Sequence, residues 1–338
     1  MKKKLLKPPE KSGELLVLPE TGEFLSHVSD KSKVGVCHQP YFFNPGISAK
    51  FIFLDDLPYG EKKIIFHDTD KTKIGANVPS FEGFSKTVTL LDDERALYDY
   101  PTPEKKVFND FFSAMEKELD RFLPAGNESV LSNLRTFKEI ILENTARPLL
   151  KEALAESFMQ FYGIQRGYCF LTDLIKGGEF EDFFLKIYKE GEKFRRIFNE
   201  ALDEYRKEYK FRFKHFPFPA LEEGELPFWI IKDGKRERCF ESSIKPEDLG
   251  KVTVFPRGST LTLFLRLYKL DFFIHGIGGA NYVWVVNRVI ERFFKREVPL
   301  LAVVSGTFLL EGLKEREFSY FFFDPEKIKQ LIHRVTGV

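Results

Sequence analysis

Apolar residues in this chain follow two rhythms. Short apolar runs, each followed by a turn of glycine, proline or polar residues, alternate with longer stretches in which apolar residues recur every three or four positions. The clearest instance is residues 271–294, DFFIHGIGGANYVWVVNRVIERFF. Phe272, Phe273 and Ile274 form the run, and His275-Gly276-Ile277-Gly278-Gly279 the turn. Tyr282, Val285, Val286, Val289, Ile290 and Phe293 then mark one face of a helix. Strand, glycine turn and helix in that order make half of a βαβ unit. Such a turn exposes backbone N–H groups beside a helix N-terminus, a setting for a phosphate or carboxylate. The turn lacks the third glycine of GxGxxG, so a bend that needs glycine for steric reasons is the competing reading.

A second unit of this kind lies near the start. Residues 34–37 predict a strand, 38–46 a loop, 47–57 an apolar helix ending before Pro58, and 63–66 a strand running into His67-Asp68-Thr69-Asp70-Lys71. Parallel strands joined by a helix bury both sheet faces, so a right-handed βαβ arrangement is expected. Residues 15–18 predict an edge strand or clasp, and 86–91 a further strand. From about residue 104 the rhythm turns helical: Phe108, Phe111, Phe112, Met115, Leu119 and Phe122 share one helix face, and helices follow at 131–142 and 148–161. Residues 168–171 return to a short strand. Residues 180–209, from Phe180 to Tyr209, read as one long helix whose apolar positions keep close to a 3.5-residue period interrupted at Gly191. Such a seam packs against another long helix, within the chain or in a partner. After a proline-ended linker at 212–219, residues 228–231 and 238–240 around Asp233-Gly234 carry the strongest hairpin signal. A strand at 252–255, where the core resumes, a helix at 261–268, the 271–294 stretch, a strand at 300–304 and a tail helix at 326–335 complete the chain. The fold class is therefore α/β: a Rossmann-like, mostly parallel sheet with an inserted helical subdomain and a long helical arm. Residues 1–100 supply the first part of the core, 101–215 the helical insertion and long helix, and 216–338 the hairpin and second part of the core.

Composition narrows the function classes. A chain of 338 residues with 43% hydrophobic and 30% charged residues fits an ordered globular protein with a large core. No apolar run approaches the roughly 18 residues of a membrane span. The 52 basic and 51 acidic residues nearly cancel, so no global field attracts nucleic acid and any anion site must be local. The basic start, MKKKLLKPPEK, lacks the apolar core of a signal peptide, which predicts a cytoplasmic location. Cys37, Cys169 and Cys239 are far apart and odd in number. They read as small core residues, not a disulfide framework or a zinc site, and neither zinc nor haem is expected. Abundant Phe, Lys and Glu, with glutamine only at 39, 160, 165 and 330, suggest a thermophilic protein. GxSxG, HExxH and Walker A motifs are missing, so serine hydrolase, zincin and P-loop readings lack support.

Candidate chemistry gathers at strand ends, where open α/β sheets bind ligands. In loop 38–46 the imidazole of His38 and the amide of Gln39 contribute nothing to a core. With Asn44 and Gly46 they suit an anion-cradling loop at a helix head, and Lys50 adds a positive charge to the same rim. A loop merely rigidified by proline is the plainer alternative. Asp68 and Asp70 alternate by two, so a strand continuing through them aims both carboxylates one way. That pair suits Mg²⁺ with phosphate, or divided acid and base roles, and also suits ordinary turn capping. Arg257 could hold an anion bidentately, while Ser259 and Thr260 stand where helix caps stand. His275 is either catalytic or a buried, hydrogen-bonded histidine. Gly276, Gly278, Gly279 and Asn281 complete the proposed rim; His27, His215 and His333 are read as incidental. The ligand implied is a nucleotide such as ATP or ADP, or a phosphorylated sugar. Asp68 or Asp70 would act as metal ligand or base, Arg257 and the glycine amides would hold the anion, and His38 would orient or protonate it.

Three segments, His38-Gln39-Pro40-Tyr41-Phe42-Phe43-Asn44-Pro45-Gly46 with Lys50, Phe66-His67-Asp68-Thr69-Asp70, and Pro256-Arg257 followed by His275-Gly276-Ile277-Gly278-Gly279, occur in an order that resembles the bacillithiol-biosynthesis cysteine-adding enzyme family. The HQPYF segment is also similar to the WbqC-like family. The first resemblance implies a Rossmann-like core related to nucleotidyl-transfer enzymes, inserted helices, a coiled-coil arm and dimerisation. It also implies a ligase-like role joining an amino acid to an amino sugar. The expectation is a ligase- or nucleotidyl-transfer-like enzyme acting on a small molecule. The alternative is a non-catalytic nucleotide- or sugar-binding protein that forms a homodimer through residues 180–209.

Overall fold

The apolar runs assemble into two sheets in the computed structural model, which describes residues 5–7, 9–10, 14–19, 21–40, 45–79, 85–123, 125–211, 216–307 and 325–336. The chain opens with β1 (Glu14–Leu18), α1 (Thr21–His27), β2 (Lys33–His38), α2 (Pro45–Asp56) and β3 (Glu61–Phe66). A hairpin of β4 (Lys71–Pro79) and β5 (Ser85–Ala96) follows, then α3 (Lys105–Phe122), α4 (Glu128–Asn144) and α5 (Leu150–Tyr162). Next come β6 (Tyr168–Phe170), α6 (Leu171–Leu174), α7 (Gly178–Lys189), α8 (Gly191–Glu208), β7 (Glu225–Lys232), β8 (Lys235–Phe240) and β9 (Val254–Pro256). The last part holds α9 (Gly258–Phe264), β10 (Phe272–His275), α10 (Ile277–Ala280), α11 (Val283–Val289), β11 (Leu300–Thr307) and α12 (Pro325–Thr336).

The fold is mixed α/β. The first sheet has the order β1-β11-β10-β2-β3-β6 and is parallel except for β1, which runs antiparallel along β11 at the edge. The second, β4-β5-β8-β7-β9, is antiparallel. From the central β2–β10 pair the chain leaves in opposite directions: β2 passes through α2 to β3, and β10 passes through α10 and α11 to β11. Right-handed crossovers running opposite ways must lay their helices on opposite faces. Accordingly Val34, Val36, Phe272 and Ile274 pack with α2 on one face, while Phe273 packs with Val285, Val286 and Val289 of α11 on the other. Alternate residues of β10 thus serve two cores, which is why the strand reads as an unbroken apolar run. Helix α2 is apolar nearly all round because Ile328 and Ile332 of α12 cover its outer side.

Several elements depart from the sequence expectation. Strand β4 adds to the expected elements: Ile74, Ala76 and Val78 alternate in the period of two that buries them against α3 and α4. Residues 254–256 join the second sheet, antiparallel to β7, and not the main one. The expected arm at 180–209 is two helices broken at Glu190-Gly191. The bare backbone of Gly191 admits the Glu241 carboxylate, whose Oε1 would lie 2.2 Å from an added Cβ. Phe180, Phe183, Phe184 and Ile187 of α7, and Phe194, Phe198 and Tyr205 of α8, are buried in the same core as Phe228, Phe264 and Phe293. The seam offered to a partner is filled from within the chain. The hairpin of β7 and β8 matches its signal, since Asp233 (φ 49°) and Gly234 (φ 74°) both take the left-handed conformation of a type I′ turn. Among the described residues no helix is long and apolar enough to cross a membrane.

The entry into β3 depends on Gly60, whose φ is 92° and whose added Cβ would lie 2.9 Å from Val34 and 3.1 Å from the Ser32 carbonyl. Gly60→Ala is expected to lower stability by about 2 kcal/mol, read from urea denaturation midpoints at constant m.

Candidate functional site

Parallel strands direct their carboxyl ends to one edge. There β10 ends on His275, β2 on His38, and β3 on Phe66, followed by His67. The register pairs Ile274 with Val36 and His38 with Phe66, so the three histidines stand at successive strand ends along the edge, each one residue further along its strand than the last. A cavity of ≈ 580 Å³ opens along that edge. It lies where the chain departs from the central pair in opposite directions, the place at which open α/β sheets receive ligands. Gly46, Ile47 and Lys50 from the start of α2, the 276–279 turn, Gly258 and Thr262 of α9, Tyr282, and residues 305–307 of β11 complete its wall.

Lys50 is the dominant charge in the wall. Only 3% exposed, it donates to the Cys37 carbonyl at 3.3 Å and has no carboxylate partner among the described residues. Burial pulls its pKa from 10.5 to about 8. Burial, reinforced by the Lys50 charge, lowers His275 to about 3 and His38 well below its ordinary value. His67 is also lowered, by burial, against the opposing pull of Asp70 and Asp68. All three imidazoles are therefore neutral at pH 7. Burial pushes the Cys37 thiol and the Tyr282 phenol up to about 12, so both keep their protons.

Of the residues proposed from sequence, the cavity gathers His38, Gln39, Gly46, Lys50, Asp70, His275, Gly276, Gly278 and Gly279. Asn44 and His215 lie outside the described residues. Asp68, Arg257, Thr260 and Asn281 are not in the wall, for identifiable reasons. Strand β3 ends at Phe66, so the alternation that would have aligned Asp68 with Asp70 stops before it reaches them. Asp68 turns inward, fully buried, to accept from Lys151 Nζ (2.7 Å), the Thr172 hydroxyl and the Thr172 N–H (3.1 Å). Asp70 accepts from Gln39 Nε2 (2.7 Å), Arg236 (2.7 Å) and the Lys71 N–H (2.9 Å). Each carboxylate is already matched to a cationic side chain and they face different ways, so the pair does not fit a Mg²⁺ ion. Among the described residues no group of three or more His, Cys, Asp or Glu is placed to hold a metal.

Arg257 stacks on Trp229, 4.3 Å from the ring centroid, and pairs with Glu225, whose side chain is 1% exposed. Burial alone would raise the Glu225 pKa. Hydrogen bonds from Arg238, the Glu222 N–H and Arg257 outweigh it and hold the carboxyl at about 2. Arg257 thus joins strands of the second sheet. Thr260 is fully buried, its hydroxyl without a partner among the described residues. Asn281 clamps the N-terminal segment, accepting from the Leu6 N–H (2.8 Å) and donating to the Leu6 carbonyl (3.1 Å).

Sequence reasoning gave no site role to Cys37, His67, Thr262, Tyr282, Ser305 or Thr307. The strand-end rule alone would have found His67 and Thr307. The glycines divide between two tasks. A Cβ on Gly258, Gly276 or Gly278 would meet nothing within 4 Å, whereas on Gly279 it would fall 1.5 Å from Cε1 of His275. The imidazole of His275 lies against bare backbone at Gly279, and Nε2, sealed from solvent, has no hydrogen-bond partner among the described residues.

No family model, curated protein or solved structure matches this chain.

Two outcomes test the geometry. Gly279→Ala is expected to dislodge the His275 ring and raise its pKa from about 3 toward 6.5, while Gly276→Ala leaves it in place; histidine C–H chemical shifts titrated by NMR separate the two. Arg257→Ala leaves Glu225 buried with one arginine fewer, and should cost about 2 kcal/mol of stability in chemical denaturation.

Proposed function

We propose that this chain is an enzyme that binds a nucleotide or phosphorylated sugar at the carboxyl edge of a Rossmann-like sheet and transfers a group there. The observation that carries this reading is Lys50, a buried ammonium facing a cavity with no acidic partner among the described residues. Burying an unpaired charge costs free energy, and an anionic ligand entering the cavity supplies the missing counter-charge. Glycines 258, 276 and 278, with no Cβ between backbone and cavity, allow such a ligand to approach closely.

The imidazoles favour an enzyme over a passive binding module. A neutral imidazole has an acceptor nitrogen, so His275 can accept a hydrogen bond from an amine or hydroxyl nucleophile and orient it for attack, while its pKa of about 3 makes it too weak a base to deprotonate that group. Positioning of that kind serves ligase-like or transferase-like chemistry. The segments that carry the resemblance to the bacillithiol-biosynthesis cysteine-adding enzymes contribute much of the wall: His38, Gln39, Gly46, Lys50, Asp70 and the 275–279 turn. A non-catalytic sugar- or nucleotide-binding protein would need Lys50 equally but leaves three neutral imidazoles without a task.

The test is a thermal-shift and calorimetric titration with ADP, hexose phosphates and inorganic phosphate. A ligand at about 100 times its Kd is expected to stabilise the protein by about 2.7 kcal/mol, and Lys50→Met should abolish that gain. Without ligand the same variant should be more stable than the wild type by about 2 kcal/mol at pH 7, because the buried ammonium is gone. The folded pKa is depressed from 10.5 to about 8, so this excess is full below pH 8 and closes as pH rises through 8 toward 10.5. Indifference of the wild type to every phosphate compound, or an undiminished response in Lys50→Met, overturns the reading.

A further inference from the structure

The cavity is polarised along the sheet edge. The charge of Lys50 acts on His38 and His275, whereas His67 is influenced by Asp70, Asp68 and Arg236. One end of the wall is therefore cationic, and the other is built around the carboxylate of Asp70. That carboxylate is not itself free to take a ligand's charge, because Arg236 (2.7 Å), the Lys71 N–H (2.9 Å) and Gln39 Nε2 (2.7 Å) already engage it. Its effect on the cavity passes through Gln39. A carboxylate can only accept, so the Gln39 amide must turn its NH₂ group toward Asp70, which removes the usual ambiguity in amide orientation. Oε1 is left as the other end of the amide, with no hydrogen-bond partner among the described residues, on a side chain that lines the cavity. An unmatched acceptor of fixed orientation selects a neutral donor, and a sugar hydroxyl has that chemistry.

Resting on the anion-binding reading of the same cavity, we infer that its ligand is a phosphorylated sugar whose phosphate meets Lys50 and whose ring hydroxyl donates to Oε1 of Gln39. Asp70 is then a positioning residue, holding the amide so that its oxygen and not its NH₂ group meets the sugar. A cavity of ≈ 580 Å³ accommodates a ligand of this size. Replacing Asp70 by asparagine removes the constraint, since an asparagine amide can donate as well as accept and Gln39 is then free to turn over.

The experiment compares, by calorimetry on the full chain, inorganic phosphate, cyclohexyl phosphate and a panel of hexose 1- and 6-phosphates. Cyclohexyl phosphate supplies a ring of similar size without hydroxyls. The wild type is expected to prefer at least one hexose phosphate over cyclohexyl phosphate by about tenfold or more. Gln39→Leu and Asp70→Asn should each erase that preference while binding inorganic phosphate as the wild type does, and Lys50→Met should bind none of the three probes. A merely structural role for Asp70 would change the affinity for all probes together, leave the preference intact and overturn its assignment as a positioning residue. The inference fails if the wild type binds cyclohexyl phosphate as tightly as every hexose phosphate, or if Gln39→Leu keeps the preference, while the anion site itself stands. If inorganic phosphate and the sugar phosphates all fail to bind the wild type, the anion-binding reading fails with it.

Discussion

The pairing of β2 with β10 is the constraint on which the rest depends. It joins residues 34–36 to 272–274, and Lys33 and Asp271 seal its lower end with two hydrogen bonds, Lys33 N–H to Asp271 Oδ2 (2.8 Å) and Asp271 N–H to the Lys33 carbonyl (2.9 Å). Strands in the middle of a parallel sheet have no access to water for their backbone groups, so each must find a neighbour on both sides and a cover on both faces. Once β2 and β10 are partners, their crossovers diverge, α2 and α11 take opposite faces, and the loops after the two strands part above the sheet. The opening between those loops is the cavity.

That opening gathers several uncompensated groups in one place. An ammonium without an acidic partner and an imidazole nitrogen without a hydrogen bond, both among the described residues, lie within one wall with three imidazoles held neutral. Elsewhere Asp68 is matched by Lys151, and Glu225 by Arg238 and Arg257, while the buried Arg266 is held by the neutral acceptors Asn287 Oδ1 and the Pro299 carbonyl. Local conflicts of this kind concentrate where a protein meets its ligand, and the surrounding packing sustains them. Here the sustaining core is aromatic, with Phe51, Phe66 and Phe158 in mutual ring contact beneath α2.

The second sheet braces one end of the cavity. Arg236 and Arg257 both stack on Trp229, at 5.1 and 4.3 Å, and from there Arg236 reaches Asp70 while Arg257 reaches Glu225. The turn after β3 is thus held by Arg236 of β8, and with it the orientation of Gln39. The second sheet contributes to the site by fixing a loop of the first and not by lining much of the opening itself.

Residues with a local periodicity were legible without the fold. The two strand–turn–helix units, the amphipathic face of α3, the Asp233-Gly234 hairpin and the glycine turn at 275–279 follow from side-chain alternation and backbone sterics within a few residues. So did nearly half of the wall, since polar residues and glycines just after apolar runs mark strand ends. Partnership was not legible. Arg257 and Asp68 resemble ligand-binding residues in sequence, yet one is taken by Glu225, 32 positions away, and the other by Lys151, 83 positions away. Nor does the sequence say whether the seam at 180–209 meets another molecule or its own β7 and α11, because an apolar period specifies that a face is buried and not what buries it. Local patterns encode which groups must leave water; only the folded chain decides which of them meet.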